Sequence, residues 1–261
     1  MFKRQAIRAV LLSVIAGNTL SASVIRPPQT EFRHLYALHA NGRVVIENVY
    51  GDVSITAWDR DEVLVEAITR SSDSRRLDDA HIVVEPTADL LSIRTQYAHS
   101  DGQQPASVDY RITVPRGANL QDVKLTNGGL SLSGLAGSVK ASAINGSITA
   151  LELRGQADLS TVNGGVVASF QSVSRAKPIS LASVNGPIRL TIPFAAGPAV
   201  VASNLSGGIA SDVGRVFRTG RGDRLVVKGA GVRIHLRNVN GGISIHRAQL
   251  VRLRGSRTAP A

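Results

Sequence analysis

Arginines alternate with apolar residues in two segments near the C-terminus. Arg233 and Arg237 alternate with apolar residues in VRIHLRN, and Arg252 and Arg254 do so in LVRLRG. Since successive side chains of a strand point to opposite faces, each segment predicts a strand with one buried face and one cationic face. Rows of guanidinium groups suit bidentate contact with phosphate or carboxylate. We therefore predict an anion-binding surface here.

The segment before these strands extends the predicted surface, because arginines recur there every three residues, at Arg215, Arg218, Arg221 and Arg224. Residues 213–261 carry eleven Lys and Arg against one acid, Asp223, in a chain with a formal net charge of +11. The basicity is therefore concentrated at the C-terminal end, where it attracts anionic surfaces. An alternative is that the charges protect a terminal strand from pairing with another molecule.

Asp122 and Asp158 offer a different chemistry. Lys140 stands eighteen residues from each of them, and a repeat of that length would place the two carboxylates two strands apart, about 9.6 Å. Such a pair could serve a carbohydrate-active enzyme as acid and base. The simpler interpretation is a set of solvated residues that pair with Lys140, and we predict no catalytic residue.

The stretch AWDRDEV places Asp59, Asp61 and Glu62 beside Trp58. This cluster could hold a cation or seat a sugar on the indole, but a solvated turn between two strands is the interpretation we favour.

The six histidines are scattered, although His235 and His246 on neighbouring late strands could meet, and the chain has no cysteine. We predict neither a metal site nor a cofactor.

Asparagine-glycine pairs recur along the chain, with equal steps of eighteen residues from Asn127 to Asn145 and on to Asn163. Apolar residues around each pair keep a period of two, which is typical of a strand with one buried face. If the Asn-Gly pairs are corners between stacked faces, the fold is an all-β β-solenoid or single-stranded β-helix-like stack. If they are two-residue hairpin loops, the fold is an antiparallel meander. The constant step favours the solenoid. The predicted buried positions three residues after Asn are Val44, Leu130, Ile148, Val166, Ile188 and Ile243.

The N-terminus has the pattern of a secretory signal: basic residues, a short apolar run and the small residues SAS. The apolar run is shorter than the ~20 residues that span a bilayer, so cleavage is favoured over a retained anchor, and no later segment could span. We predict export to the periplasm or the cell surface. The predicted parts are a signal peptide (1–23), a linker (24–33), a β-rich N-terminal part (34–116), β-solenoid repeats (117–247) and a basic tail (248–261).

The stretches NGRVVIENVYGDVSITAWDRDEVLVEA and GAGVRIHLRNVNGGISIHR, with the repeated VNGG, resemble the bacterial "putative adhesin" family of β-strand-repeat proteins. The resemblance covers residues 36–247. It implies an extracytoplasmic β-solenoid-like fold without established enzymatic activity, and it gives no binding residues to transfer.

These observations together predict an exported, non-catalytic, structural or adhesin-like binding module at the bacterial cell envelope. Its expected partner is an anionic envelope polymer. The alternatives are a carbohydrate-active enzyme and an envelope-signalling module that docks an acidic protein. Export and the lack of interleaved aromatic residues argue against nucleic acid as a partner.

Overall fold

The computed structural model describes residues 28–98, 105–193, 197–219 and 222–248, and these residues form an all-β fold. The first strands are β1 (Gln29–Ala37), β2 (Arg43–Tyr50), β3 (Val53–Trp58), β4 (Glu62–Arg70), β5 (Ala80–Pro86), β6 (Leu90–Tyr97) and β7 (Ser107–Pro115), with a 3₁₀ helix (Ser74–Asp79) before β5. The strands that follow are β8 (Asn119–Asn127), β9 (Leu130–Ser133), β10 (Val139–Asn145), β11 (Ile148–Leu153), β12 (Ala157–Asn163), β13 (Val166–Phe170), β14 (Ile179–Asn185), β15 (Ile188–Ile192), β16 (Ala199–Ser206), β17 (Ile209–Ser211), β18 (Val216–Thr219), β19 (Gly222–Val227), β20 (Arg233–Asn240) and β21 (Ile243–Arg247).

The strands form two large mixed sheets. Sheet A has the order β1-β4-β7-β3-β9-β11-β13-β15-β21-β17, and sheet B has the order β18-β19-β16-β20-β14-β12-β10-β8-β2-β6-β5. From β8 to β15 successive strands alternate between the sheets, and each strand pairs in parallel with the next but one along the chain. None of the described segments is a helix long and apolar enough to cross a bilayer.

Each Asn-Gly pair of the repeats lies where the chain passes from sheet B to sheet A. β10, for example, ends at Asn145 in sheet B, and β11 begins at Ile148 in sheet A. The pairs are therefore corners, and the hairpin alternative is wrong for this segment. The corner asparagines also lie in register across sheet B, so Asn145 is opposite both Asn127 and Asn163.

The corners bring backbone from neighbouring strands so close together that only glycine fits. A Cβ added to Gly146 would lie 1.8 Å from the carbonyl oxygen of Gly128. The carbonyl cannot easily move, because Gly128 N donates to Asn145 O (3.1 Å) and Gly146 N donates to Asn163 O (3.0 Å). The repeat of glycine after each corner asparagine is therefore a steric requirement of the stacking.

The core between the sheets is almost entirely aliphatic. All the positions predicted to be buried three residues after each asparagine are buried, and so are those two residues further on, such as Ala150 and Ala168. The prediction of the inward phase is confirmed. A single cluster of buried side chains runs from the first strands to β21, so the N-terminal part and the repeats share one core.

The spatial order of the last strands differs from their order in the chain. β20 lies between β14 and β16, and β21 lies between β15 and β17. The segment that contains β16 to β19 is thus at the end of the stack, where β19 pairs antiparallel with β16 and β18.

The described residues also bear on the predicted parts. β1 begins at Gln29, inside the predicted linker (24–33), and pairs along its length with β4. β2 and β3 pair with β8 and β9, so both sheets continue across the predicted boundary at residue 116. The predicted signal peptide (1–23) and all but the first residue of the predicted tail (248–261) lie outside the described residues.

Candidate functional site

Arg233 and Arg237 lie on the outer face of sheet B, as their alternation with apolar residues predicts. Ile234 and Leu236 are buried, and His235 is exposed beside the two arginines. β20 pairs with β14 on one side and with β16 on the other. The strand is therefore interior to the sheet, and the alternative that these two arginines protect a strand edge is wrong.

Another arginine reaches the same face from β19. Arg237 lies opposite Ser203 of β16, and Ser203 lies opposite Arg224. Neighbouring strands are about 4.8 Å apart, so the Cα atoms of Arg237 and Arg224 are separated by about 9.6 Å. A shallow depression of about 330 Å³ lies there, bordered also by Leu205 and Val239. We call Arg224, Arg233, His235 and Arg237 the basic face.

The arginines of the basic face have no carboxylate partner in the part of the chain that the structure describes. Within the described ranges, none of Arg224, Arg233 and Arg237 forms an ion pair. Asp223 borders the depression, but its carboxylate accepts a hydrogen bond from Ile209 N at 3.3 Å and is largely buried. The guanidinium groups are therefore free to take an anion from outside.

Arg218 does not join the basic face. Phe217 is the β18 residue opposite Arg224, whereas Arg218 lies opposite Asp223, with 3.8 Å between Nε and the carboxylate. Side chains alternate along a strand, so Arg218 points to the other side, and the structure does not bring it together with Arg224 and Arg237. Arg221, Arg252 and Arg254 lie outside the described residues, and their role stays a prediction.

A row of apolar side chains borders the basic face, and we call it the apolar row. Its members stand one residue before each corner, on five adjacent strands of sheet B. The sequence-based prediction did not include these residues. The signal that could have indicated them is an Ile, Val or Leu one residue before each corner. The row consists of Ile144 (48% exposed), Val162 (41%), Val184 (38%), the partly exposed Val239 and Leu205 (61%).

The two candidate carboxylates, Asp122 and Asp158, have different surroundings. β8 has a bulge at Gln121 and Asp122, where its register with β2 and β10 shifts, and Asp122 Oδ2 lies 2.7 Å from Lys124 Nζ. This carboxylate raises the pKa of Lys124. Asp158 does lie opposite Lys140, but the predicted ion pair with Lys140 is not formed among the described residues.

The acidic stretch beside Trp58 is a turn between β3 and β4. Arg116 holds Asp59 with two hydrogen bonds, of 2.7 Å and 3.1 Å, and thereby lowers the pKa of Asp59. The indole Nε1 donates to the carbonyl oxygen of Glu62 at 2.7 Å, and Arg60 lies over the ring. Within the described ranges, no three His, Asp or Glu side chains are grouped as metal ligands would be.

The two late histidines do not meet. His235 belongs to sheet B and His246 to sheet A. His246 Nδ1 instead lies 3.2 Å from Asp212 Oδ2. The alternative that they meet across one sheet is wrong, because the corner after Asn240 separates them.

A second depression, of about 420 Å³, lies on sheet A. Its charged side chains are largely paired with one another, since Arg33 contacts Glu66 at 3.4 Å and Arg70 contacts Asp109. A bound anion would have to compete with these carboxylates. The basic face is therefore the better candidate for binding an external anion.

The fold is similar to a solved structure described as a "putative cell adhesion protein". No protein-family model and no curated protein matches the chain. A "putative cell adhesion protein" from Clostridium sporogenes aligns with 84% of this chain and 100% of its own, at a TM-score of 0.50 and 10% identity. A "putative adhesin" from Parabacteroides merdae aligns with 84% of this chain and 96% of its own, at a TM-score of 0.37 and 11% identity.

A "putative adhesin" from Bacteroides fragilis aligns with 85% of this chain and 99% of its own, at a TM-score of 0.29 and 11% identity. At these identities the likeness concerns the fold. The likeness to the Clostridium sporogenes structure, at a TM-score of 0.50, agrees with the resemblance that the sequence motifs indicate: the chain is similar in fold to a protein described as a "putative cell adhesion protein".

Proposed function

We propose that this chain is an exported, non-catalytic β-solenoid that serves as an adhesin-like binding module at the bacterial cell envelope. Its basic face binds an anionic envelope polymer through phosphate or carboxylate groups. The N-terminal signal pattern supports export, and the fold of the adhesion proteins it resembles supports a binding role.

The parallel register of the repeats supports the solenoid. Corners, strands and glycine contacts recur at one level after another, so each turn of the chain stacks on the last at about 4.8 Å. A stack of this kind holds its outer side chains at fixed spacings. A polymer with repeated charges could therefore meet several of them at once, and weak contacts would add up.

The observation that carries the proposal is the unpaired arginines on an interior strand. Exposed arginines on loops move freely, but Arg233 and Arg237 project from a strand that is hydrogen bonded on both sides. Their positions are therefore fixed before an anion arrives, which lowers the entropic cost of binding. Guanidinium groups without carboxylate partners can give both of their edges to the ligand.

The test is the binding of purified residues 24–261 to a panel of anionic envelope polymers, followed over a salt series up to about 0.15 M. The variant is Arg233→Ser/Arg237→Ser. Its matched control is Arg111→Ser/Arg189→Ser, which removes the same charge from exposed positions of β7 and β15 in sheet A.

Selective binding that persists at about 0.15 M salt, is lost in the first variant and survives in the control supports the proposal. Equal loss in both variants would show a general charge effect and contradict a specific face. If the protein without substitutions binds none of the polymers, the result would contradict an anionic polymer as the partner and favour an acidic envelope protein.

A further inference from the structure

The apolar row is unusual for the outer face of a sheet, where side chains that face water are expected to be polar. Each member lies at the same level on its own strand, because the residues on either side of it are paired in register. With strands about 4.8 Å apart, the five members extend over about 19 Å. Contiguous exposed apolar surface of this kind marks an interaction site.

Small side chains on the next level leave the row accessible. The outward residues two positions before the row on β10, β12 and β14 are Ser142, Ser160 and Ala182. They are shorter than the apolar side chains beside them. The row therefore stands above its surroundings on that side as a ridge.

The level of the small side chains, which includes Ala182, continues into the basic face at the end of the stack. Arg237 follows Ala182 on the neighbouring strand, and Ser203 and Arg224 follow Arg237. Leu205 and Val239 border the same depression as the two arginines. A cationic pair and an apolar ridge are thus parts of one continuous surface.

We propose that this surface of sheet B docks on an anionic lipid bilayer. A headgroup phosphate lies between Arg224 and Arg237, and the apolar row enters the boundary between headgroups and acyl chains. The inference goes beyond the proposed function, because it uses the same arginines but assigns them, together with the apolar row, to a lipid surface.

Charge and polarity together favour a bilayer as the partner of the combined basic and apolar surface. Guanidinium pairs match phosphate geometry, and peripheral membrane binding combines buried apolar area with attraction to anionic lipid. A soluble polyanion would satisfy the arginines alone and leave the apolar row in water. In the described strands of sheet B from β10 to β19, Asp158 is the one carboxylate on the outer face, and it lies on a different level from the row.

The experiment measures the binding of residues 24–261 to vesicles of phosphatidylcholine with and without phosphatidylglycerol, with soluble glycerol phosphate as a competitor. One variant, Arg224→Ser/Arg237→Ser, removes the headgroup contacts. A second, Val184→Ser/Leu205→Ser, removes two exposed members of the apolar row. The matched apolar control is Leu35→Ser/Leu151→Ser, at exposed positions of β1 and β11 in sheet A.

We expect binding only to the vesicles that contain phosphatidylglycerol, a loss of about tenfold or more in each of the two variants, and little change in the control. The apolar variant should still bind an anionic polymer, since its arginines are intact. Far-ultraviolet spectra and thermal unfolding check that each variant is folded, which we expect because all the substituted side chains are exposed.

Vesicle binding that survives in Val184→Ser/Leu205→Ser, or that glycerol phosphate abolishes, would overturn the inference and leave the proposed polymer function standing. The reverse result, vesicle binding without any polymer binding, would support the bilayer surface and contradict the polymer as ligand. Binding to an envelope protein but to no vesicle would overturn the inference as well.

Discussion

Asn163 donates a hydrogen bond from its side-chain Nδ2 to Oδ1 of Asn145, 2.8 Å away on the neighbouring strand. The same bond joins Asn145 to Asn127 and Asn185 to Asn163, each at 2.9 Å, and Asn240 to Asn185 at 2.9 Å. The corner asparagines therefore form a continuous ladder, which fixes the level of each turn of the chain relative to the next.

Substitution of Asn163 by alanine should destabilise the fold by about 1 to 2 kcal/mol, because Asn163 both donates and accepts in the ladder and each bond contributes about 1 kcal/mol. Asn127 is the matched control, since it only accepts in the ladder. Asn127→Ala should cost about half as much. Urea unfolding of both variants measures the difference, and equal losses would count against the ladder.

Substitution of Gly146 by alanine should cost about 3 kcal/mol or more, because the new Cβ would strike the carbonyl oxygen of Gly128 at 1.8 Å. Gly208→Ala is the control, since a Cβ there meets no atom within 4 Å. That change should be neutral or stabilise by a few tenths of a kcal/mol. Thermal unfolding of the two variants decides, and a stable Gly146→Ala protein would contradict the close stacking of the corners.

Stability should fall at high pH because of Tyr110. Its hydroxyl is buried, 2.8 Å from Thr95 Oγ1, which donates to Asn48 Oδ1. Burial raises the pKa of Tyr110 to about 12, above the value of about 10 in an unfolded chain. The folded state thus keeps a proton that the unfolded state releases. The contribution is intact below about pH 10 and is lost as the pH rises towards about 12.

Urea unfolding between about pH 9 and pH 11.5 tests this, with a maximal slope of about 1.4 kcal/mol per pH unit for one tyrosine. Tyr110→Phe should be less stable at neutral pH by about 1 kcal/mol, for the lost hydrogen bond, and should show a shallower decline at high pH. Some decline should remain, because burial also raises the pKa of Tyr97. An unchanged slope in Tyr110→Phe would contradict the assignment.

The inward phase of the repeats could be predicted because it depends on local pattern. Ile148 and Ala150 follow their corner at fixed positions, and each is buried as the period of two requires. The Asn-Gly corners were predictable for the same reason. A corner needs a residue that tolerates positive φ and lacks a side chain, and glycine has both properties. Gly128, with a φ of 152°, is an example.

The order of the last strands could not be predicted from the repeat. The step from Asn185 to its partner Asn240 spans 55 residues and includes another complete corner. The length of the repeat therefore does not indicate which segment pairs with β14. That order decides whether Arg233 and Arg237 lie on an edge or inside a sheet. The bulge at Asp122 depends likewise on both neighbouring strands at once.

Recognition of anions by the basic face can be measured by modifying arginines with phenylglyoxal in the presence and absence of bound polymer or vesicles, and locating the modified residues by mass spectrometry. We expect protection of Arg224, Arg233 and Arg237, while Arg111 and Arg189 on sheet A react equally in both conditions. Equal reactivity of all five arginines with and without ligand, or protection confined to sheet A, would contradict anion recognition by the basic face.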